Sequence, residues 1–316
     1  MTSWPDVEAI VPTINWDRHL DRCLSSLTKQ IYPGRLDITV VDGGSTDNTL
    51  DIARAHRANI RQFGTGIVDG AHGLRDLGIR ASKAEIVWLV DGDNYIVEKT
   101  AACDMVRRLV EFERANIAIP LQLQIPGGAR MNNCLVLMIN YEIGLMEQRS
   151  RIEGTFPFLR EVTFGISNAS MIRRDALLNV GGWDQDERVL RRMRSLGIAG
   201  GVIVNTAHYY HDHTSSPLHF AHKWQRRVRT FAEMTDAQRG EYFISQPTDA
   251  GILGYRVDEV GLIRAMISES TKSCRNFLLT GNRLWLWGLF IPGTMLAVAI
   301  ANPRSAVRLV RKIRML

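Results

Sequence analysis

Residues 86–90, Ile-Val-Trp-Leu-Val, form an unbroken apolar run that stops abruptly at Asp91-Gly92-Asp93-Asn94. A run of this kind reads as a strand buried on both faces, the pattern of a parallel sheet covered by helices. On extended backbone, residues i and i+2 point to the same side, so Asp91 and Asp93 are expected to converge, with Gly92 keeping the space between them open. Converging carboxylates at the carboxyl end of a strand are costly without a cation. Mn²⁺ or Mg²⁺, sharing its oxygen ligands with substrate phosphates, is the expected answer. The bland reading is a polar turn with two solvated aspartates.

The preceding chain repeats the pattern. Val7–Val11 reads as a strand closed by Pro12. Asp17–Gln30 reads as a helix with Leu20, Cys23, Leu24 and Leu27 on one stripe. Ile38–Val41 is a second strand ending in Asp42. Ser45 is the expected N-cap of a helix over 46–57. A strand near Ile60–Phe63, a helix over 71–81 and a helix over 100–114 complete the alternation. That alternation predicts a doubly wound, mostly parallel α/β sheet, which binds ligands at the carboxyl ends of its strands. Pro12, Asp42 and Asp91 all fall on that rim. From Leu121 the pattern is less regular. Cys134–Ile139 and Ser170–Ile172 read as strands, Arg188–Leu196 as a basic helix, Pro217–Glu233 and Val257–Leu279 as helices.

With 316 residues the chain is long enough for one large core and an appendage. The division expected is 1–235, in two halves, 1–120 and 121–235, followed by a helical region, 236–316. Cys23, Cys103, Cys134 and Cys274 are widely spaced with no CxxC. Buried reduced thiols at Cys23 and Cys103 fit a reducing compartment. No secretory signal is visible.

The net charge of +6 is modest, and much of it lies in Arg304, Arg308, Arg311, Lys312 and Arg314. A local basic tail suggests a surface contact, membrane or nucleic acid, rather than a nucleic-acid enzyme; an anionic membrane surface is the partner expected here, and nucleic acid is not. Leu284–Ala301 carries no charge but is interrupted by Pro292-Gly293. It is marginal for a spanning helix, which needs ~20 apolar residues. A peripheral, monotopic or re-entrant attachment at the cytoplasmic face is expected.

Four segments together resemble the family-2 glycosyltransferases of GT-A fold, over roughly residues 7–230. They are Val11-Pro12-Thr13-Ile14-Asn15, Val40–Thr49 around Asp42-Gly43-Gly44, Leu89–Asn94, and Val180-Gly181-Gly182-Trp183-Asp184. The resemblance implies an inverting, metal-dependent enzyme using a UDP- or GDP-type sugar donor. Pro12, Thr13, Asn15 and Asp42 would line the nucleotide site, Thr13 and Asp42 at base and ribose. Arg75 would reach the diphosphate. Asp91 would meet the ribose or a metal-bound water, and Asp93 the metal. Trp183 and Gln185 would face the acceptor.

The family usually carries a Glu-Asp pair after the Gly-Gly-aromatic-Asp segment. Here it falls on Gln185-Asp186, so Asp186 is the expected base, with Glu187 and Asp184 behind it. A weakened base site suits an already anionic acceptor such as a polyprenyl phosphate. In Tyr209-Tyr210-His211-Asp212-His213, His213 fits the metal site better than His211. The competing readings are a catalytically silent nucleotide-sugar-binding or membrane scaffold protein, which Gln185 favours, and an aspartate-nucleophile phosphatase, which leaves Asp42 unexplained. A dinucleotide fingerprint fails because Asp69 stands where its last glycine belongs.

Overall fold

The computed structural model describes residues 3–63, 70–162, 168–184, 186–212, 216, 218–219, 221–222 and 259–289. The elements run β1 (Val7–Thr13), α1 (Asp17–Thr28), β2 (Leu36–Asp42), α2 (Thr49–Ala55), β3 (Asn59–Gln62), α3 (Gly70–Ala81), β4 (Ile86–Leu89) and β5 (Asn94–Ile96). They continue with α4 (Ala101–Glu111), β6 (Ile117–Leu123), α5 (Arg130–Ile152), β7 (Phe158–Leu159), β8 (Met171–Arg173), α6 (Arg174–Asn179), α7 (Asp186–Ser195) and β9 (Gly201–His211). A helix, Glu259–Thr280, and a 3-10 turn, Arg283–Leu289, follow.

By contacts the chain forms two compact units, residues 1–123 with 143–211, and residues 124–142 with 212–316. The first unit holds one mixed sheet in the order β3-β2-β1-β4-β8-β6-β9-β5, with β7 also on β9. The β3-β2-β1-β4 half is parallel. Period-two alternation splits its side chains between two layers. Val7, Ala9 and Val11 join Leu20, Cys23, Leu24 and Leu27 of α1 and Met105, Val106 and Leu109 of α4 in one core cluster. Ile10, on the opposite face, meets α3 at Gly78. Helices therefore cover both faces, as the apolar strands require. Trp88 is fully buried, and its indole N–H is satisfied by the Ala169 carbonyl at 2.7 Å.

Pro12 lies inside β1 and does not close it, paired with Val41. Odd residues of β1 bond to β2, as Val7 N–H does to Arg35 O and Thr13 O to Gly43 N–H. Even residues face β4, where Val90 N–H bonds Ile10 O. Registered pairing with β4 ends at Ile10–Leu89, so the missing N–H of Pro12 falls just past the last paired residue.

Two adjacent arginines, the last residue of β8 and the first of α6, tie the helices to the sheet. Arg173 donates to the Leu109 carbonyl at 2.7 Å, in the last turn of α4, and to the Ala115 carbonyl, in the loop that follows, at 3.1 Å. Arg174 donates to the Ile79 and Arg80 carbonyls at 3.0 and 3.4 Å, at the C-terminus of α3. Each places a cation at the negative end of a helix and satisfies carbonyls the helix leaves unpaired.

Several expectations need correction. Cys134–Ile139 is helical, inside α5; a short apolar run does not distinguish a buried helix from a strand. The helix after Asp42 starts at Thr49 with Asn48 as its N-cap position, because Ser45 is used elsewhere. Cys103 is only half-buried, and the face of α4 that packs is set by Ala101, Ala102, Met105, Val106 and Leu109. The strand β6 was not anticipated. The expected helix over 217–233 lies largely outside the described residues, and residues 290–316 wholly so. Among the described residues no helix is long and apolar enough to cross a membrane.

In the second unit, Tyr141 packs edge-on against Trp285 with ring centroids 6.1 Å apart, and Lys272 lies 5.6 Å from the Tyr141 ring centre. Leu278 and Leu279 are 80% and 70% exposed.

Candidate active site

The rim at the carboxyl ends of β1, β2 and β4 carries the site. Thr13 and Asp42 are register partners. Thr13 Oγ1 donates to Asp42 Oδ1 at 3.2 Å. Asp42 is fully buried, and its other bonds come from Gly44 N–H and Ser45 N–H, both at 2.9 Å, and the Ser45 hydroxyl. All four acceptor positions are used within the chain. Asp42 thus organises the loop after β2, and contact with a base or ribose requires one of these bonds to be exchanged. Asn15 takes a positive φ of 56°. It receives Thr46 N–H on Oδ1 at 2.8 Å and gives its own N–H to Ser45 at 2.9 Å. Asp47 accepts from Thr49 N–H and Asp17 N–H at 3.0 and 3.2 Å, which fixes the starts of α2 and α1 together. Those bonds hold its carboxyl below the usual range even against its partial burial.

Asp91 and Asp93 do converge, but by a turn between β4 and β5 rather than along a strand. Asn94 N–H bonds Asp91 O at 2.8 Å, and Asn94 Oδ1 takes Asp91 N–H at 3.0 Å. A Cβ built on Gly92 would meet Trp16 at 3.5 Å, an ordinary contact, so the expected need for open space at this glycine is absent. β5 then pairs antiparallel with β9, Asn94 opposite His211. That register delivers His211 to the turn, with Nε2 3.3 Å from Asp93 Oδ1 and both side chains under a tenth exposed. Ligand atoms of Asp91, Asp93 and His211 lie within 4.8 Å of one another. The histidine in this cluster is His211; His213, the one expected, lies outside the described residues. Two carboxylate oxygens and one imidazole form a donor set that fits Mn²⁺, or Mg²⁺ less well.

The negative field of the pair reaches its neighbours. Burial pushes the Cys23 thiol well above its usual range, and Asp93 and then Asp91 push it further. Burial also raises the Tyr209 phenol, with Asp91 and Asp93 adding to the effect. Tyr209 Oη donates to Gln122 at 3.4 Å.

Arg75, on α3, is 3% exposed and pairs through Nη2 with Asp91 Oδ1. Its Nη1 lies 3.3 Å from His72 Nδ1, and its Cζ sits 5.9 Å from the Trp183 ring centre. Trp183 is buried at 3% and is held by α3, through its N–H to Asp76 at 2.7 Å and its indole N–H to His72 Nδ1 at 3.3 Å. Gly182, at φ 92°, leaves room for Asp76 and Arg80, which a side chain would strike. His72 escaped the sequence reading because a single histidine on a helix has no local signature.

Of the candidate bases, Asp184 takes a two-pronged bond from Arg192 at 2.8 and 3.0 Å and lies 3.5 Å from Arg188. A carboxylate so engaged is a poor proton acceptor. Asp186 opens α7; its side chain and that of Glu187 are outside the described part, as is Gln185 entirely.

Residues 8–181 match the family model described as Glycosyl transferase family 2, and the chain belongs to that family. It is 34% identical over 93 residues to glycosyltransferase AglE of Haloferax volcanii, covering 28% of this chain and 31% of that one. It is 34% identical over 111 residues to an N-acetylglucosaminyltransferase of Bradyrhizobium sp., covering 33% of this chain and 69% of the relative. The chain thus spans under a third of AglE. The fold resembles that of mannosyltransferase PcManGT from Pyrobaculum calidifontis, solved with GDP-Man and Mn²⁺, at TM-score 0.61 and 16% identity, over 95% of this chain and 88% of that one.

Proposed function

We propose that this family-2 chain is an inverting glycosyltransferase, moving a sugar from a UDP- or GDP-type donor to a lipid-linked or membrane-proximal acceptor. One observation carries the reading: Asp91, Asp93 and His211 gather on the rim that also holds Thr13, Asp42 and Arg75. The PcManGT structure, of the same fold, holds GDP-Man and Mn²⁺.

Asp91, Asp93 and His211 would hold Mn²⁺ or Mg²⁺, which supplies Lewis-acid charge for the departing diphosphate. Arg75 brings a second, permanently charged cation to the same rim and pairs there with Asp91. Thr13, Asn15 and Asp42 shape the nucleotide side of the rim, Pro12 placing the loop that follows β1. In an inverting displacement the acceptor oxygen attacks the anomeric carbon opposite the leaving diphosphate. Its proton passes to a base at the start of α7, for which Asp186 is our assignment. Trp183, fixed against α3, and Gln185 lie on the acceptor side in this reading. An acceptor phosphate is already anionic and would place little demand on that base.

Attachment to an anionic membrane surface at the cytoplasmic face is part of the proposal. The uncharged stretch 284–301, the arginine-rich tail and the exposed Leu278 and Leu279 beside Arg275 and Arg283 support it. The test is Mn²⁺-dependent release of nucleoside diphosphate from UDP- and GDP-sugars, with membranes containing polyprenyl phosphate as acceptor. Binding without release across that panel sinks the enzymatic reading.

A further inference from the structure

We propose that His72 is a positioning residue that links the Gly181–Asp184 loop to the Arg75–Asp91 pair and so sets affinity for the donor diphosphate. The proposal rests on the glycosyltransferase reading for its consequence, and on hydrogen-bond chemistry for its geometry. Two donors lie against His72 Nδ1, Arg75 Nη1 and Trp183 Nε1, each at 3.3 Å. A guanidinium and an indole N–H can only donate. Nδ1 is therefore the acceptor in both contacts, the role it has in the Nε2–H tautomer. One acceptor atom thus orients two groups.

Each of those groups reaches further. Arg75 turns its other terminal nitrogen, Nη2, onto Asp91. Trp183 belongs to the loop whose backbone is pinned to Asp76. The planar guanidinium cannot rotate one nitrogen away from His72 without moving the other on Asp91. His72 is thus the atom-level connection between the acceptor-side loop and a carboxylate of the proposed cation site. Its place in the first turn of α3, three residues before Arg75, gives the spacing that brings the two side chains onto one face.

Three variants separate positioning from bulk packing. His72→Asn keeps an acceptor oxygen near the place of Nδ1. His72→Phe keeps a ring and removes the acceptor. Trp183→Phe keeps most of the aromatic packing and removes one donor. We expect His72→Phe to weaken binding of UDP or GDP in the presence of Mn²⁺ by about tenfold, the scale of a lost bond to a charged donor. His72→Asn should recover most of that loss, with unfolding midpoints of the two variants alike. Combining His72→Phe with Trp183→Phe should cost less than the product of the single effects, because both act through one atom. Equal losses in His72→Asn and His72→Phe, or wild-type affinity in His72→Phe, overturn the proposal.

The tautomer gives a readout independent of any nucleotide. Long-range ¹H–¹⁵N NMR at pH 7.5 should show His72 Nδ1 unprotonated and Nε2 protonated, with the Nδ1 shift moving in Trp183→Phe. A protonated Nδ1 overturns the linkage even if nucleotides bind. Correct tautomer and coupling in a protein that binds no nucleotide would instead refute the glycosyltransferase reading alone.

Discussion

His211 Nε2 lies 3.3 Å from Asp93 Oδ1 because β9 and β5 pair with Asn94 opposite His211. The two residues are far apart in sequence, and a single antiparallel register makes their side chains neighbours, each under a tenth exposed. Replacing His211 by Ala should therefore weaken Mn²⁺ binding by about ten- to a hundredfold, the range expected when a metal site loses a supporting group. His213→Ala should leave it close to wild type. Electron paramagnetic resonance titration of free Mn²⁺ compares the two directly, and a larger loss in His213→Ala would reverse the assignment.

Arg75 divides its terminal nitrogens between His72 and Asp91. Lysine offers one nitrogen and cannot serve both. Arg75→Lys should then lose affinity for nucleoside diphosphate by about tenfold or more despite its conserved charge. Isothermal titration in Mn²⁺ measures this; an unchanged dissociation constant would show that charge alone suffices.

Arg174 closes the C-terminus of α3, the helix that carries His72 and Arg75. Arg174→Ala should lower stability by about 1 kcal/mol or somewhat more, a fall of about 2–4 °C in Tm for a domain of this size. Scanning calorimetry checks it. Arg174→Lys, which restores the charge, should recover part of the loss.

The four thiols should separate by burial. Cys274 is exposed and Cys103 half-buried, whereas Cys23 and Cys134 are buried. Burial pushes the Cys134 thiol up to about 12, so its reactive thiolate is scarce at pH 8. A disulfide-exchange reagent should modify Cys274 first and Cys134 only on unfolding. Rapid modification of Cys134 in the folded protein would contradict the placement of α5.

The rim was legible in the sequence because it is built from local signals. Val7–Val11, Ile38–Val41 and Ile86–Val90 are predominantly apolar runs, and they lead to Pro12, Asp42 and Asp91, where the chain turns at the carboxyl ends of the strands. The carboxylate pair was legible for the same reason, although the residues converge through a turn closed by Asn94 rather than by strand alternation. Long-range pairing was not legible. Ala207, Tyr209 and His211 alternate on the buried side of β9, and His213 continues that spacing, so sequence leaves both histidines on one face. The register with β5 is what sets His211 beside the carboxylate pair; His213 lies outside the described residues. Cys134–Ile139 illustrates a different limit: six apolar residues in a row suit a buried strand or a buried helix equally. Asp42 shows a third, since a carboxylate that orders a loop and one that awaits a ligand look alike until their partners are counted.

The central claim is that Asp93 helps hold a cation on which nucleotide binding depends. Isothermal titration of UDP and GDP, with and without Mn²⁺, into wild type and Asp93→Ala of matched Tm tests it most directly. The account predicts Mn²⁺-dependent binding in the wild type and a loss of about a hundredfold in Asp93→Ala. Equal, metal-independent affinity in the two proteins would contradict it.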